Sequence, residues 1–351
     1  MLADLGCSAD ELDQAEREGT LPLLAVERLM VPVAAAYDLA GVSERTGLEV
    51  DQVRDLWRTL GYPVPRPDEV AFTDADVEIL TEVGHLLAGD VASTDLVLQM
   101  SRVIGSSMAR IASSQVDVIS ARVAGAPRSA AVADTELTDE QIVVSASALL
   151  PIVPSVLTAA WRRHLQGAIR RRLSIAETGE GQLGVVGFAD MVGFTALSQQ
   201  VGDDRLAAVV DQFEQQAFDV VTAHGGRVVK MIGDEVMFTV DSADAAAEIG
   251  LVLAEGTRSG DERADLRVGM AHGPLLEREG DLYGPVVNLA SRISAIAYPG
   301  SIVVNESLRD RLADRDDYRL RSMRPRSLKD IGRVPLWVLR RTAPRQGRRS
   351  G

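Results

Sequence analysis

The segment FADMVGFT, residues 188–195, contains an acid and a glycine that could bind a metal ion and phosphate. The apolar run before it predicts a buried strand with Asp190 at its end, followed by a glycine-containing turn and a helix start. A carboxylate there can hold a divalent cation, and the backbone N–H groups around Gly193, Phe194 and Thr195 can receive phosphate oxygens. The alternative is that Asp190 only caps the following helix.

A second acid, Asp234, lies between two β-branched runs, RVVKMI and EVMFTV, which predict a hairpin with Gly233 and Asp234 in its turn. Aspartate is common in turns for conformational reasons alone. Adjacent strands could nevertheless bring the carboxylates of Asp190 and Asp234 together, and two such charges repel each other unless a cation lies between them.

Lysine usage points to the same hairpin. The chain has 37 basic residues, of which only Lys230 and Lys329 are lysines, so each lysine invites an explanation. Lys230 lies on the apolar strand that leads to Asp234. Two interpretations stay open, a buried stem with its ammonium at the surface or a compact donor for a ring nitrogen.

The segment GDLYGPVVNLASR, residues 280–292, supplies Asp281, Asn288 and Arg292. Asn288 and Arg292 are four residues apart, so a helix places them on one face, from which they could converge on one phosphoryl group. The alternative is an ordinary amphipathic helix whose polar side chains are solvated.

The elements that must position these residues change type along the chain. The first part shows helical spacing of apolar residues, with helix starts predicted at Ser43, Thr73 and Thr138. The second part reads strand-helix-strand-strand-helix-strand with additions, which predicts a ferredoxin-like α+β domain after an all-α domain. The predicted divisions are an all-helical regulatory domain (1–160), a linker helix and join (161–182), the α+β domain (183–342) and a basic tail (343–351).

Composition predicts a soluble globular protein, because 46% of the 351 residues are apolar and 25% are charged. Cys7 is the only cysteine, which excludes intrachain disulfides and zinc sites built on cysteine pairs. The N-terminal residues are acidic, unlike a secretory signal, so we expect a cytoplasmic protein.

The stretch 141–161 carries no charge and is long enough to cross a bilayer. Pro151 and Pro154 argue against a span because they remove backbone donors in mid-segment. We therefore favour a buried or dimer-facing helical segment, and membrane or lipid contact is the alternative.

Charge separates the two parts of the chain. Residues 1–150 hold 25 acidic and 10 basic side chains, whereas the rest holds 26 and 27, so only the second part tolerates a polyanionic substrate. The segment GVSERTGLEVDQVRDLW could form the two short helices of a DNA-binding motif. An acidic domain would be repelled by DNA phosphates, so we expect no nucleic-acid partner.

Taken together, these motifs resemble the class III nucleotidyl cyclase family over about residues 183–340, in the family's order and close to its usual spacing. FADMVGFT resembles the first metal motif, KMIGDEVMF the second, and DLYGPVVNLASR the purine and transition-state segment. The N-terminal part resembles the regulatory domain of some actinobacterial cyclases, and we expect it to be autoinhibitory.

The resemblance implies an adenylate cyclase that converts ATP to 3′,5′-cyclic AMP and pyrophosphate with two Mg²⁺ or Mn²⁺ ions. It also implies a head-to-tail homodimer, in which one subunit supplies the metal ligands and the other the remaining groups. The implied residues are Asp190, Asp234 and the main-chain carbonyl of Met191 for the metals, Lys230 and Asp281 for the base, and Asn288 and Arg292 for the transition state.

Lys329 resembles the lysine that binds the terminal phosphates in this family. The family often continues with glycine after that lysine, whereas this chain has Asp330, an acid beside an expected polyphosphate contact. Two rival functions are a nucleotide-binding sensor without turnover and a transcription regulator. The complete set of chemical residues disfavours the first, and the charge of the N-terminal part disfavours the second.

Overall fold

The computed structural model describes residues 7–30, 34–123, 139–178, 182–255, 257–259 and 262–342. The chain divides into two units, Met1–Arg163 and His164–Gly351. The described part of the first unit is helical, and the second combines a mixed sheet with helices, so the predicted order of an all-α part before an α+β part is confirmed.

Seven helices and the start of an eighth form the described part of the first unit. They are α1 (Ala9–Glu18), α2 (Leu21–Met30), α3 (Leu39–Thr46), α4 (Val50–Thr59), α5 (Asp74–Ala88), α6 (Thr94–Val123), α7 (Asp139–Leu149) and α8 (Val153–Thr178), with a 3₁₀ turn at Leu150–Ile152 before α8. Their core consists of Leu39, Val42, Leu48, Val53, Leu56, Phe72 and Leu80.

Of the three predicted helix starts, Thr138 lies outside the described residues and the other two have different outcomes. Thr73 is the N-cap of α5, where its side chain accepts from the N–H of Asp76 and the Asp76 carboxylate accepts in return, so that prediction is confirmed. Ser43 lies inside α3, which begins after the N-cap Asp38, so that prediction is wrong. The Ser43 hydroxyl instead donates to the carbonyl of Leu48, which lies just beyond the end of α3.

The uncharged stretch 141–161 is interrupted by its prolines. Pro151 lies in the 3₁₀ turn and Pro154 in the first turn of α8, where a missing N–H costs little. None of the helices in the described part of the chain combines the length and apolarity that a membrane crossing requires. Leu149 and Trp161 are exposed, the latter by 61%, so the prediction of a buried segment is wrong; a dimer-facing segment stays a prediction.

The second unit continues from the end of α8 into strands that alternate with helices. They are β1 (Leu183–Met191), α9 (Phe194–Gln200), α10 (Asp203–Ala223), β2 (Arg227–Ile232), β3 (Glu235–Val240), α11 (Ala243–Ala254), β4 (Thr257–Ser259), β5 (Glu262–Ala264), β6 (Leu266–Pro274), β7 (Leu276–Arg278), β8 (Asp281–Tyr283), α12 (Pro285–Ile296), β9 (Ile302–Asn305), α13 (Glu306–Leu312), β10 (Tyr318–Ser322), β11 (Arg326–Leu328), β12 (Gly332–Val334) and β13 (Leu336–Arg341).

Seven of these strands form one sheet in the order β10-β13-β9-β6-β1-β3-β2. The four strands β6, β1, β3 and β2 are antiparallel neighbours, and their order with the crossover helices α10 and α11 is that of the ferredoxin-like fold. The predicted fold is therefore confirmed. The remaining strands form the three hairpins β4-β5, β7-β8 and β11-β12.

Side chains alternate between the two faces of the sheet along each strand, and helices cover both faces. On one face Val185, Ala189 and Phe238 pack among residues of α10, α11 and α13. On the other face Val186 and Phe188 pack against α12, through a cluster that includes Val286, Ala290 and Ile293. The second face carries the polar residues described next.

Candidate active site

Three charged side chains stand in a row across neighbouring strands at one end of the sheet. Asp190, near the end of β1, pairs with Glu235 of β3 on one side and with Arg267 of β6 on the other. Asp190 follows Val186 and Phe188 at two-residue spacing, so the row lies on the α12 face. The Nε of Arg267 donates to the carboxylate of Asp190, which is only 8% exposed.

Asp234 joins this row from the turn between β2 and β3. The N–H of Met191 donates to the Asp234 carbonyl at 3.0 Å, which fixes the turn against the end of β1. Burial raises the pKa of Asp190 above its usual value; Arg267 opposes that rise, and the neighbouring charge of Asp234 adds to it. The two predicted metal-ligand carboxylates therefore lie close enough to interact.

The pKa of the third acid, Glu235, is raised most strongly. Burial, followed by the charges of Asp190 and Asp234, raises the pKa of Glu235 to about 7. The charges of Asp190, Asp234 and Glu235 form a locally anionic site in which Arg267 interacts with Asp190 and Glu235, and a divalent cation would relieve the repulsion among the carboxylates. In the described part of the chain no three His, Cys, Asp or Glu side chains are arranged to hold a metal ion, so main-chain or substrate oxygens would have to complete the coordination of a cation here.

Lys230 of β2 and Asp281 of β8 form an ion pair. The Nζ of Lys230 donates to Oδ2 of Asp281 at 2.6 Å, and the N–H of Leu282 donates to Oδ1 at 2.8 Å. Burial alone would raise the pKa of Asp281, but these hydrogen bonds and the nearby charges of Lys230 and Arg227 hold it below its usual value. The charged form of Asp281 is therefore favoured while the pair is intact.

The β7-β8 hairpin that carries Asp281 is tied to β2 by a second set of contacts. Arg227 donates to the Glu277 carboxylate at 2.9 Å and to the Gly280 carbonyl at 3.1 Å. Lys230 and Asp281 are 51 residues apart in the chain, so this anchoring is what brings them together.

Asn288 and Arg292 lie on α12, which begins at Pro285 after Gly284. Val286, Ala290 and Ile293 of this helix are buried against the sheet, whereas Asn288 and Arg292 are exposed. At 100° per residue, the exposed pair lies on the side of the helix opposite the buried residues. Both side chains therefore point away from the sheet that carries Asp190 in the same chain.

The predicted phosphate-binding turn follows β1. Gly193 adopts a left-handed φ of 82° and precedes α9, which starts at Phe194. The N–H of Val192 donates to the Asp265 carbonyl at 2.9 Å, so the turn is held beside the row of acids. The first N–H groups of a helix, here including those of Phe194 and Thr195, lack acceptors within it and are open to a ligand.

Lys329 lies in the turn of the β11-β12 hairpin and is exposed. The next residue, Asp330, forms an ion pair with Arg292, with 3.6 Å between Oδ2 and Nη2. The structure thus places the hairpin turn against the exposed face of α12.

Comparison with known proteins shows the family of the chain. Residues 180–341 match the family model of the adenylate and guanylate cyclase catalytic domain, and residues 1–166 match that of the adenylate cyclase regulatory domain. An adenylate cyclase of Streptomyces coelicolor is 32% identical over 291 residues, which cover 82% of this chain and 75% of the relative. The chain belongs to the class III adenylate cyclase family.

Two further similarities extend the comparison. An adenylate cyclase of Glutamicibacter nicotianae is 29% identical to this cyclase over 301 residues, which cover 80% of this chain and 73% of the relative. Among solved structures, the adenylyl cyclase CyaB from P. aeruginosa has a TM-score of 0.40 and 20% identity, and it covers 47% of this chain and 98% of that chain.

Two residues of the cyclase site were absent from the sequence-based predictions. Arg267 lies in LRVGMAHGP, which sequence analysis would treat only as a strand. A single arginine between the buried residues Leu266 and Val268 was the available signal, because a charge in a buried strand calls for a partner. Glu235 follows Asp234 directly, and only the strand register shows that it faces Asp190.

Proposed function

We propose that this cyclase converts ATP to 3′,5′-cyclic AMP and pyrophosphate at a site shared between two copies of the chain. The supporting observation is geometric. Asp190 and Asp234 meet at one end of the sheet, whereas Asn288 and Arg292 of the same chain point away from them. A second chain related by a twofold axis would supply the missing half and would create two identical sites.

Base recognition would depend on Lys230 and Asp281. Adenine presents an acceptor at N1 and a donor at N6, so the ammonium can donate to N1 while the carboxylate accepts from N6. Guanine reverses that edge and would leave donor facing donor and acceptor facing acceptor. Because unpaired buried polar groups are costly, the pair would favour ATP over GTP.

The acids suit a pair of divalent cations. Asp190, Asp234 and the Met191 carbonyl would hold two Mg²⁺ or Mn²⁺ ions, which when bound lower the pKa of the ribose 3′-hydroxyl and offset phosphate charge. The crowding that raises the pKa of Asp190 and Glu235 is what a cation would relieve. Arg267 contributes by favouring the ionised form of Asp190, the form that a metal ligand needs.

In the reaction the ribose 3′-oxygen bonds to the α-phosphorus while the bond to pyrophosphate breaks, and the hydroxyl proton is lost. Arg292 would donate to the α-phosphoryl oxygens where charge develops, and Asn288 would orient the ribose oxygen. The N–H groups around Gly193, Phe194 and Thr195 would receive phosphate oxygens. Lys329 would meet the terminal phosphates.

The shared site is tested by mixing two inactive variants, Asp190→Ala and Asn288→Ala. Each should be inactive alone because each removes half of both sites. Random pairing should give about a quarter of the wild-type rate of cyclic AMP formation from ATP and Mn²⁺, because half of the dimers would be mixed and each would hold one intact site.

The matched control is a mixture of Asp190→Ala with Asp234→Ala. Both changes damage the same half of the site, so no pairing can restore it and the mixture should stay inactive. If the first mixture were as inactive as the control, while wild-type protein made cyclic AMP, the shared site would be refuted.

A further inference from the structure

The exposed guanidinium of Arg292 has an acidic neighbour on its own chain. Its Nη2 lies 3.6 Å from Oδ2 of Asp330, and the two side chains are 44% and 72% exposed. An ion pair at that distance and exposure is weak and is readily exchanged for another anion. Arg292 is thus held by a partner that a stronger anion can displace.

The backbone at Asp330 shows that this acid occupies a glycine-like position. Its φ is +66°, in the left-handed region that non-glycine residues rarely adopt. The turn is closed by the N–H of Ile331 donating to the Leu328 carbonyl at 3.2 Å, and Leu328 anchors the hairpin in the core. Glycine would adopt this φ without strain, so what aspartate adds is its carboxylate.

The carboxylate stands where the proposed reaction places a polyphosphate. Lys329 precedes it in the same turn, and Arg292 faces it from α12. An acid between two cations competes with phosphate oxygens for the cations and repels the incoming polyanion. Both effects weaken the binding of a triphosphate and of the departing pyrophosphate.

We propose that Asp330 is a positioning residue for Arg292, holding its guanidinium on the hairpin of the same chain until nucleotide phosphates displace it. The inference rests on the proposed function. Asp330 thereby weakens nucleotide affinity and eases pyrophosphate release, and it acts on binding more than on the chemical step. The chemical class that competes with it is a nucleoside triphosphate or its pyrophosphate product.

The variant Asp330→Asn tests this directly, because asparagine tolerates the left-handed φ and removes only the charge. We expect the KM for ATP and the inhibition constant of pyrophosphate to fall together by about three- to tenfold at low salt, and kcat to change less than about twofold. Near 1 M salt the difference should shrink, since the screening length there is about 3 Å.

The control is Asp314→Asn, which removes one exposed carboxylate from the same unit and should leave KM unchanged. Asp330→Gly is a second variant that also removes the charge and suits the backbone, so it should reproduce the lower KM. An unchanged KM in both Asp330 variants, or an equal fall in Asp314→Asn, would overturn the proposal.

Action through Arg292 is tested by binding. The affinity for 3′-deoxy-ATP, which lacks the attacking hydroxyl, should rise more with Asp330→Asn in the wild-type background than together with Arg292→Ala, where only the direct repulsion by Asp330 is left to remove. An equal rise in both backgrounds would show that Asp330 does not act through Arg292. Wild-type protein that makes no cyclic AMP would count against the proposed function. If the wild-type protein is active but Asp330→Asn leaves the KM for ATP unaltered, only this inference fails.

Discussion

Lys230 and Asp281, each ambiguous in the sequence, form an ion pair in the structure, and we propose that this pair reads the base. A lysine on an apolar strand suits either a solvated ammonium or a ring-nitrogen donor, and the structure adds a contact of 2.6 Å between its Nζ and Asp281. The pair presents one donor and one acceptor side by side, which is the complement of the adenine edge. In the proposed function the pair would discriminate between bases, because either group left unpaired costs free energy.

Replacing Lys230 with methionine should therefore lower the preference for ATP over GTP. We expect kcat/KM for ATP to fall by about tenfold to a hundredfold and that for GTP to change much less, because only adenine loses a matched partner. The measurement is the ratio of the two kcat/KM values. The control Arg319→Met removes an exposed cation from β10 and should leave the ratio intact; a ratio equally intact in Lys230→Met would refute base reading by this lysine.

At the scale of elements, the placement of α12 depends on its close approach to β6. A Cβ added at Gly269 would lie 2.1 Å from the main-chain nitrogen of Ser294 and 2.7 Å from the Ala290 carbonyl oxygen. Both atoms belong to the backbone of α12, so the helix as a whole would have to move. The glycine thus determines how closely α12, which carries Asn288 and Arg292, packs on β6.

Gly269→Ala is expected to destabilise the protein by about 3 kcal/mol or more, because backbone atoms cannot relax around the new methyl group. Thermal or denaturant unfolding measures the loss. Gly202→Ala is the matched control, since its φ of −69° suits alanine and a Cβ there would meet nothing within 4 Å. Equal stability of the two variants would contradict the close packing of α12 on β6.

The whole molecule is electrostatically divided, with 25 acidic and 10 basic residues in positions 1–150 and near balance in the rest. The acidic part lies within residues 1–166, which match the family model of the adenylate cyclase regulatory domain. Our hypothesis is that it inhibits the catalytic part and that the cationic helix at 161–173 transmits its state.

Deleting residues 1–175 should therefore raise cyclase activity by at least about fivefold, the lower range of typical coupling between sites. The rate of cyclic AMP formation per catalytic domain is the measurement. The same truncation with Asp190→Ala should be inactive, which attributes the gain to the proposed site. A truncated protein that is folded and dimeric but no faster than the full chain would refute autoinhibition.

Local features of this protein were predictable from sequence because they depend on neighbouring residues. Apolar spacing and turn residues predicted the helical first part, the β2-β3 hairpin and the ferredoxin-like order. The motifs likewise identified Asp190, Asp234, Lys230 and Asp281 as residues to watch, although their roles remain proposals.

Relations between distant segments were decided only by the tertiary structure. The pairing of Arg267 with Asp190 spans 77 residues and depends on strand register, and the contact of Arg292 with Asp330 depends on where a hairpin packs against a helix. The exposure of Trp161 likewise depends on which surfaces the neighbouring helices leave open. Periodicity shows which face of an element is apolar, but burial and partners are set by the elements that pack against it.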